Sequence, residues 1–193
     1  MRKYGVMLIG CGHIGAEHLD DIYYRPEFRV VAVVDRDPQR AQQFAQRYGV
    51  AHWGQDYRPF LAFSDIDIVI IATYADSHLP ILEDCLAAGK HVLCEKPLAP
   101  TPAQIEEMFA CAKENGVILM EAYAYLHSPL MAAIKEEIKS GVIGDVLYME
   151  SQFITSDYDI SNIRMRKETY GGALYDLGCY NTSQILWMLE EDP

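Results

Sequence analysis

The sequence has little of what several protein classes require. Among 193 residues it carries 16 lysines and arginines against 28 aspartates and glutamates, a formal net charge of −12, and it has no long basic cluster. That balance argues against binding to a nucleic-acid backbone. No uninterrupted apolar run approaches the length of a membrane span, and the first strand starts too close to Met1 to leave room for a signal peptide. We therefore expect a cytoplasmic protein that binds neither nucleic acid nor membrane.

The cysteines also show no pattern typical of disulfides or metal sites. The chain has five cysteines, an odd number, with no C-x-x-C pair, and each lies in an apolar context. Buried, reduced thiols are the usual reading of such a pattern. Cys11 lies inside a glycine-rich loop and leaves open an alternative, an oxidisable thiol. No group of histidine, cysteine and carboxylate residues has the spacing of a metal site, so we predict no metal.

The strongest motif follows an apolar run at residues 4–9, which predicts a buried strand before a helix that continues through 16–23. Between them stands the pattern Gly-x-Gly-x-x-Gly. The first glycine permits a tight turn, the second lets the backbone approach a pyrophosphate, and the third lets helix and strand pack closely. The positive end of the helix favours a diphosphate. We assign cofactor binding to Gly10, Gly12, His13, Ile14 and Gly15.

An acid at the end of the next apolar run strengthens this prediction. Asp35 follows the run 28–34 and lies twenty residues after Gly15, where a carboxylate can bind a ribose 2′-OH and repel a 2′-phosphate. Asp35 therefore favours NAD. Arg36 could bind a 2′-phosphate and keeps NADP as the alternative. The alternative to a dinucleotide site is that the glycines only form an ordinary turn.

Strand and helix then alternate up to about residue 120. This rhythm predicts an α/β fold with a doubly wound parallel (Rossmann) sheet over 1–120. Within it, Asp37, Ser77 and Thr101 are expected to cap helices. Residues 121–193 then predict the start of an α+β open-sheet domain that lacks its later strands. The expected elements there are a helix at 129–140, an alternating strand at 145–155 and a helix at 173–190.

Three further stretches of sequence form a combination of motifs with the glycine pattern. They are Thr73-Tyr74-Ala75-Asp76-Ser77-His78, Glu95-Lys96-Pro97 after a strand, and Gly171-Gly172-Ala173-Leu174-Tyr175-Asp176-Leu177-Gly178-Cys179-Tyr180. With the glycine pattern, this combination resembles the glucose–fructose oxidoreductase / inositol dehydrogenase / MocA family. Members of that family are usually considerably longer.

The resemblance implies an NAD(P)-dependent dehydrogenase acting on a sugar, a polyol or a related alcohol. It implies that Lys96 stands near the reactive nicotinamide carbon, and it adds Thr73, His78 and Glu95 to the cofactor site. It also implies a catalytic Asp176. Many members carry a histidine four residues further on. Tyr180 at that position is instead similar to the branch of glucose–fructose oxidoreductase, dimeric dihydrodiol dehydrogenase and xylose dehydrogenase.

The chemistry of these side chains agrees with the resemblance. A phenol, with an ordinary pKa of about 10, needs a nearby cation to act as a base. We expect Tyr180 to take the hydroxyl proton while Lys96 holds the oxygen and Asp176 orients the substrate or the lysine. Tyr123 and Arg164 are expected to bind substrate, although interdomain packing is an equal alternative for the aromatic residue.

Two departures from the family pattern and one rival function remain open. Tyr74 replaces the proline of a usual Thr-Pro, and Leu126 replaces a common arginine, which favours a less polar substrate. The rival is a nucleotide-binding module without chemistry, because the second domain looks incomplete. The sequence leaves both a natural short form and a fragment possible. If it is a short form, the strand 145–155 predicts homo-oligomers that cover its apolar face.

Overall fold

The computed structural model describes residues 2–155, 159 and 161–190, and the chain divides into two compact units, Met1–Ala122 and Tyr123–Pro193. The strands are β1 (Tyr4–Ile9), β2 (Phe28–Val34), β3 (His52–Gly54), β4 (Ile68–Ile71), β5 (His91–Cys94) and β6 (Leu119–Glu121). The helices are α1 (His13–Tyr23), α2 (Pro38–Tyr48), α3 (Arg58–Leu61), α4 (His78–Ala87), α5 (Pro102–Glu114), α6 (Pro129–Lys139) and α7 (Cys179–Leu189).

The first unit contains one six-stranded sheet in the order β3-β2-β1-β4-β5-β6. Every neighbouring pair of strands is parallel. The order reverses between β1 and β4, so the carboxyl ends of these two strands form the switch point where ligands bind in such sheets. The predicted doubly wound parallel sheet is confirmed.

Both faces of this sheet are buried, as the continuous apolar strands predict. Successive residues of β1 alternate between two cores: Val6 and Leu8 pack with Leu19 of α1, whereas Met7 and Ile9 pack with Leu82 of α4. The strand is thereby fixed in register and in direction, and its carboxyl end is held where the glycine loop begins.

Local capping agrees with the sequence at two of three positions. The side chain of Asp37 accepts a hydrogen bond from the backbone N–H of Gln39 at the start of α2, and that of Thr101 accepts one from Gln104 at the start of α5. Ser77 does not cap α4. Its hydroxyl instead donates to Tyr74 O at 2.8 Å, because a 3-10 turn at Ala75–Ser77 precedes the helix and bends the side chain back.

The second unit differs from its prediction at residues 145–155. These residues form no strand, and Leu147 and Ile154 are 94% and 82% exposed. A strand needs a neighbour for its backbone N–H and C=O groups, and none of the described residues of this unit forms one. The predicted helices are present as α6 and as a π-helical turn, Leu174–Gly178, that continues into α7.

Candidate functional site

The glycine loop connects β1 to α1 and has the geometry that its sequence requires. Gly10 has φ +104°, and a Cβ there would lie 2.4 Å from the carbonyl oxygen of Ala72. A Cβ on Gly15 would lie 2.1 Å from the carbonyl oxygen of Gly10. Both glycines are therefore needed for the close approach of β1, β4 and α1.

Gly12 is different, because open space lies in front of it. A Cβ built there meets no heavy atom within 4 Å. Gly12 is also the N-cap of α1, which has neither a side-chain cap nor an acid in its first turn. The helix begins three residues earlier than the sequence suggested, so His13 and Ile14 stand in its exposed first turn. This space and the positive helix end fit a diphosphate.

Asp35 stands opposite the loop at the end of β2. Its Oδ2 accepts a hydrogen bond from the backbone N–H of Cys11 at 2.8 Å, and its Oδ1 accepts one from that of Asp37 at 2.8 Å. Each carboxylate oxygen retains a second acceptor position, which is available for a ribose hydroxyl. The carboxylate therefore shapes the loop and presents negative charge to whatever enters.

A cleft of about 250 Å³ opens at this place, and five predicted cofactor residues line it. They are Gly10, Gly12, Asp35, Arg36 and Thr73. The guanidinium carbon of Arg36 lies 5.4 Å from the centre of the Tyr74 ring, a cation–π distance. Tyr74, where the family pattern has a proline, thus adds an aromatic wall to the cleft.

The position of Cys11 in the glycine loop left an oxidisable thiol as an alternative, and the structure argues against it. Cys11 is 3% exposed. Burial, with the negative charge of Asp35, raises its pKa to about 12. A reactive thiol needs exposure and a lowered pKa, so Cys11 is a packing residue. All five cysteines are free thiols.

Past β5, the segment 95–98 is held by buried or half-buried side chains. His78 is 1% exposed, with Nδ1 2.9 Å from the carbonyl oxygen of Pro97 and Nε2 3.2 Å from that of Thr73. Burial lowers the pKa of His78, so the neutral ring donates from one nitrogen, and we assign that N–H to the shorter contact with Pro97. His78 connects the ends of β4 and β5 rather than reaching into open space.

Glu121, which sequence reasoning missed, holds the same segment from β6. Its Oε1 accepts a hydrogen bond from the backbone N–H of Leu98 at 2.8 Å. Burial raises the pKa of Glu121, the hydrogen bond from Leu98 opposes that rise, and the charge of Glu95 adds to it. The sequence signal that could have identified Glu121 is its place as an acid at the carboxyl end of a strand.

In the second unit, Asp176 lies in the π-helical turn, a distortion common at functional sites. Its Oδ2 lies 2.7 Å from Nε of Arg164, so these two predicted site residues form an ion pair. A Cβ on Gly171 would lie 2.5 Å from the carbonyl oxygens of Arg164 and Arg166, which explains why the turn before Asp176 begins with glycine.

Tyr180 follows in α7 and lies among aromatic rings. Its ring centre is 5.4 Å from that of Tyr123, 6.2 Å from Tyr125 and 5.8 Å from Phe153. The hydroxyl of Tyr125 donates to Ser183 Oγ at 2.8 Å. Tyr123, predicted to bind substrate, therefore lies beside the predicted acid–base residue.

Some elements are absent from the part of the chain that the structure describes. No three histidine, cysteine, aspartate or glutamate side chains there are grouped so as to hold a metal ion. No described helix is both long enough and apolar enough to cross a membrane.

A parallel sheet with a glycine loop at its switch point, and an acid across from that loop, define a Rossmann fold with the geometry of a dinucleotide site. The family described as an oxidoreductase family with an NAD-binding Rossmann fold, GFO_IDH_MocA, matches residues 4–123, and a GFO/IDH/MocA C-terminal domain matches residues 131–193. The chain belongs to this oxidoreductase family, as its motifs suggested.

Individual proteins with similar sequences are named as dehydrogenases and reductases. The chain is 38% identical over 156 residues to a trans-1,2-dihydrobenzene-1,2-diol dehydrogenase of Mus musculus, covering 80% of this chain and 46% of that protein. It is 34% identical over 176 residues to a dTDP-3,4-didehydro-2,6-dideoxy-alpha-D-glucose 3-reductase of Actinomadura kijaniata, covering 91% of this chain and 53% of the reductase. The chain thus spans about half the length of the curated relatives it matches.

Solved structures show the same likeness. GenD2 from gentamicin A biosynthesis, in complex with NAD, matches with a TM-score of 0.88 and 29% identity, covering 98% of this chain and 54% of that one. A 3-ketoreductase from Actinomadura kijaniata in complex with NADP and TDP-benzene matches with a TM-score of 0.84 and 31% identity, covering 97% of this chain and 58% of that one.

Proposed function

We propose that the protein is an NAD(P)-dependent oxidoreductase that moves a hydride between nicotinamide and an alcohol carbon of a sugar, a polyol or a cyclic diol. The observation that carries this proposal is the open space in front of Gly12, opposite Asp35, at the switch point of the sheet. Relatives named diol dehydrogenase and sugar reductase support the reaction class.

We propose NAD as the preferred cofactor and NADP as the alternative. Asp35 is fixed by two backbone N–H groups at the end of β2, so its charge cannot easily turn away from a 2′-phosphate. Arg36 is stacked over Tyr74 and is the group that would favour NADP. Dissociation constants for NADH and NADPH, compared between the wild type and Asp35→Asn, test this choice. We expect tighter NADH binding, and a gain for NADPH in the variant.

We assign proton transfer to Tyr180, which takes the hydroxyl proton of the alcohol in oxidation and returns it in reduction. Lys96 holds the same oxygen and stabilises its developing negative charge. Asp176, fixed by Arg164, orients the substrate or the lysine. Bound NAD(P) supplies the hydride acceptor or donor.

The aromatic surroundings of Tyr180 support a ring-shaped substrate. The ring of Tyr123 lies at 89° to that of Tyr180, in an edge-to-face arrangement, and the ring of Phe153 is tilted by 59° against it. Leu126 stands where the family often has arginine. We therefore keep Tyr123 as a substrate contact. Arg164 reaches substrate only together with Asp176, because its guanidinium is engaged there.

Steady-state NADH production with a panel of sugars, polyols and cyclic diols tests the proposal. We expect turnover of at least one substrate, and a loss in kcat of about 100-fold in Tyr180→Phe, the scale of general acid–base catalysis. Tyr148→Phe is the matched control, because Tyr148 is 78% exposed, and it should retain full activity. NADH binding without turnover of any alcohol would contradict the proposal.

A nucleotide-binding protein without chemistry is the second candidate. The exposed apolar residues within 145–155 favour it, since they show an uncovered surface in the unit that carries Tyr180. The same surface supports the proposal of a homo-oligomer. Light scattering on the purified chain tests assembly: a dimer or larger is expected, and a clean monomer would contradict it.

A further inference from the structure

His18 of α1, which no sequence motif singled out, contacts the segment that carries Lys96. Its Nε2 lies 2.8 Å from Oε1 of Glu95. A carboxylate can only accept, so Nε2 carries the proton and donates. The two side chains are 20% and 16% exposed, and hydrogen bonds to a charged group in such places are stronger than those between neutral groups.

The carboxylate of Glu95 also contacts the backbone of Lys96. Its second oxygen, Oε2, accepts a hydrogen bond from the backbone N–H of Lys96 at 3.3 Å, and its own backbone N–H donates to Ile71 O at 2.9 Å. One carboxylate thus bridges α1 and the first turn after β5. Without His18, the carboxylate loses the partner that fixes its direction.

The position of the bridge from His18 to Glu95 indicates what it does in the site. The sheet has two mononucleotide halves, and β5 belongs to the half that does not carry the acid at the end of β2. The helix that takes the diphosphate, α1, therefore also holds the turn in the nicotinamide half. Since α1 connects β1 to β2 and so belongs to the half that carries Asp35, its bridge to Glu95 links the two halves and can set Lys96 relative to the whole cofactor.

We propose that His18 is a positioning residue that acts through Glu95 to hold Lys96 on the nicotinamide side of the site. This inference rests on the proposed function. The alternative is that His18 only fastens α1 to the sheet, in which case its loss would weaken the whole nucleotide site evenly.

Two ligands separate these roles, because ADP-ribose has the diphosphate and adenosine of NADH but lacks nicotinamide. In His18→Leu we expect the dissociation constant for NADH to rise about tenfold, equal to ~1.4 kcal/mol, while that for ADP-ribose stays within about twofold. The matched control is Asp21→Leu, which places the same side chain on an exposed position of α1 and should change neither constant.

His18→Gln adds a conservative variant, because the glutamine amide nitrogen can donate where Nε2 does. It should recover most of the NADH affinity. In a Glu95→Leu background, His18→Leu should cause no further loss, since its effect passes through Glu95.

Equal weakening of NADH and ADP-ribose in His18→Leu would overturn the inference, as would unchanged NADH binding or a full additional loss in the Glu95→Leu background. Melting temperatures of all variants show whether α1 is intact. Failure of the wild-type chain to bind NADH would instead count against the proposed function, so the two failures are distinguishable.

Discussion

Two sequence patterns that both favour a strand have different outcomes in the two units. In the first, each apolar run lies beside another strand, and successive residues such as Leu8 and Ile9 enter opposite cores. In the second, the alternating run 145–155 has no described strand beside it, and its apolar residue Leu147 is 94% exposed. Alternation therefore specifies a strand only where the edge of a neighbouring strand supplies hydrogen bonds and covers the apolar face.

The two units also hold the predicted site residues by different means. In the first, Asp35 and His78 bond to backbone N–H and C=O groups, which the sheet itself holds in place. In the second, Asp176 is held by the side chain of Arg164 and Tyr180 by other rings. The predicted site residues of the first unit should therefore tolerate changes in nearby side chains better than those of the second, and should be most sensitive to changes in the backbone.

The largest expected effect comes from Gly15→Ala in the first unit. The new Cβ would lie 2.1 Å from the carbonyl oxygen of Gly10, so β1 and α1 must separate, and we expect a loss of about 3 kcal/mol or more in the free energy of unfolding. Gly89→Ala is the control: its φ is +69° but nothing lies within 4 Å, so about 1 kcal/mol is expected. Urea denaturation measures both, and equal losses would contradict the account.

The next effect is a pH dependence carried by His78. Because burial lowers the pKa of His78 below its ordinary 6.5, the unfolded chain binds the proton more readily. Stability is fully present above pH 6.5 and falls as the pH decreases through the folded pKa, by up to about 1.4 kcal/mol per pH unit.

Urea midpoints of the protein at pH 7.5 and 5.5 measure this slope. His78→Gln should remove most of it, whereas His127→Gln, a change at an exposed histidine of the second unit, should leave it unchanged. An identical slope in His78→Gln would show that another group is responsible.

The smallest effect is expected in the second unit, at the end of α7. Hydrogen bonds from Lys135 and Lys139 lower the pKa of Glu190 from 4.5 to about 2. The stabilisation is therefore present above pH 4.5 and is lost as the pH falls toward 2. Lys135 also lies 4.4 Å from the centre of the Trp187 ring, so the fluorescence of Trp187 should report the loss.

A Trp53→Phe background leaves Trp187 as the single tryptophan. In that background we expect a fluorescence transition below pH 4.5 that Glu190→Gln abolishes. A transition that persists in Glu190→Gln would contradict this assignment. The two units would then not be separable by their pH windows.

Sequence patterns predicted the first unit well because its signals are local. The glycine spacing of the loop and the Asp37 cap at the start of α2 can be read from a few consecutive residues. What the sequence could not show were contacts between distant elements, such as His18 with Glu95 and Arg36 with Tyr74. The prediction of a strand at 145–155 is wrong: its residues alternate as those of a strand do, but no described residue of the second unit forms a strand beside them.

The proposed function requires that the space in front of Gly12 holds the diphosphate of a nicotinamide cofactor. Gly12→Val tests it directly, because the side chain enters open space and should cost the fold only about 1 kcal/mol through a weaker helix cap. We expect the wild type to bind NADH with one site per chain in a fluorescence titration, and Gly12→Val to remain folded but lose that binding. Equal binding by both proteins, or none by the folded wild type, would contradict the claim.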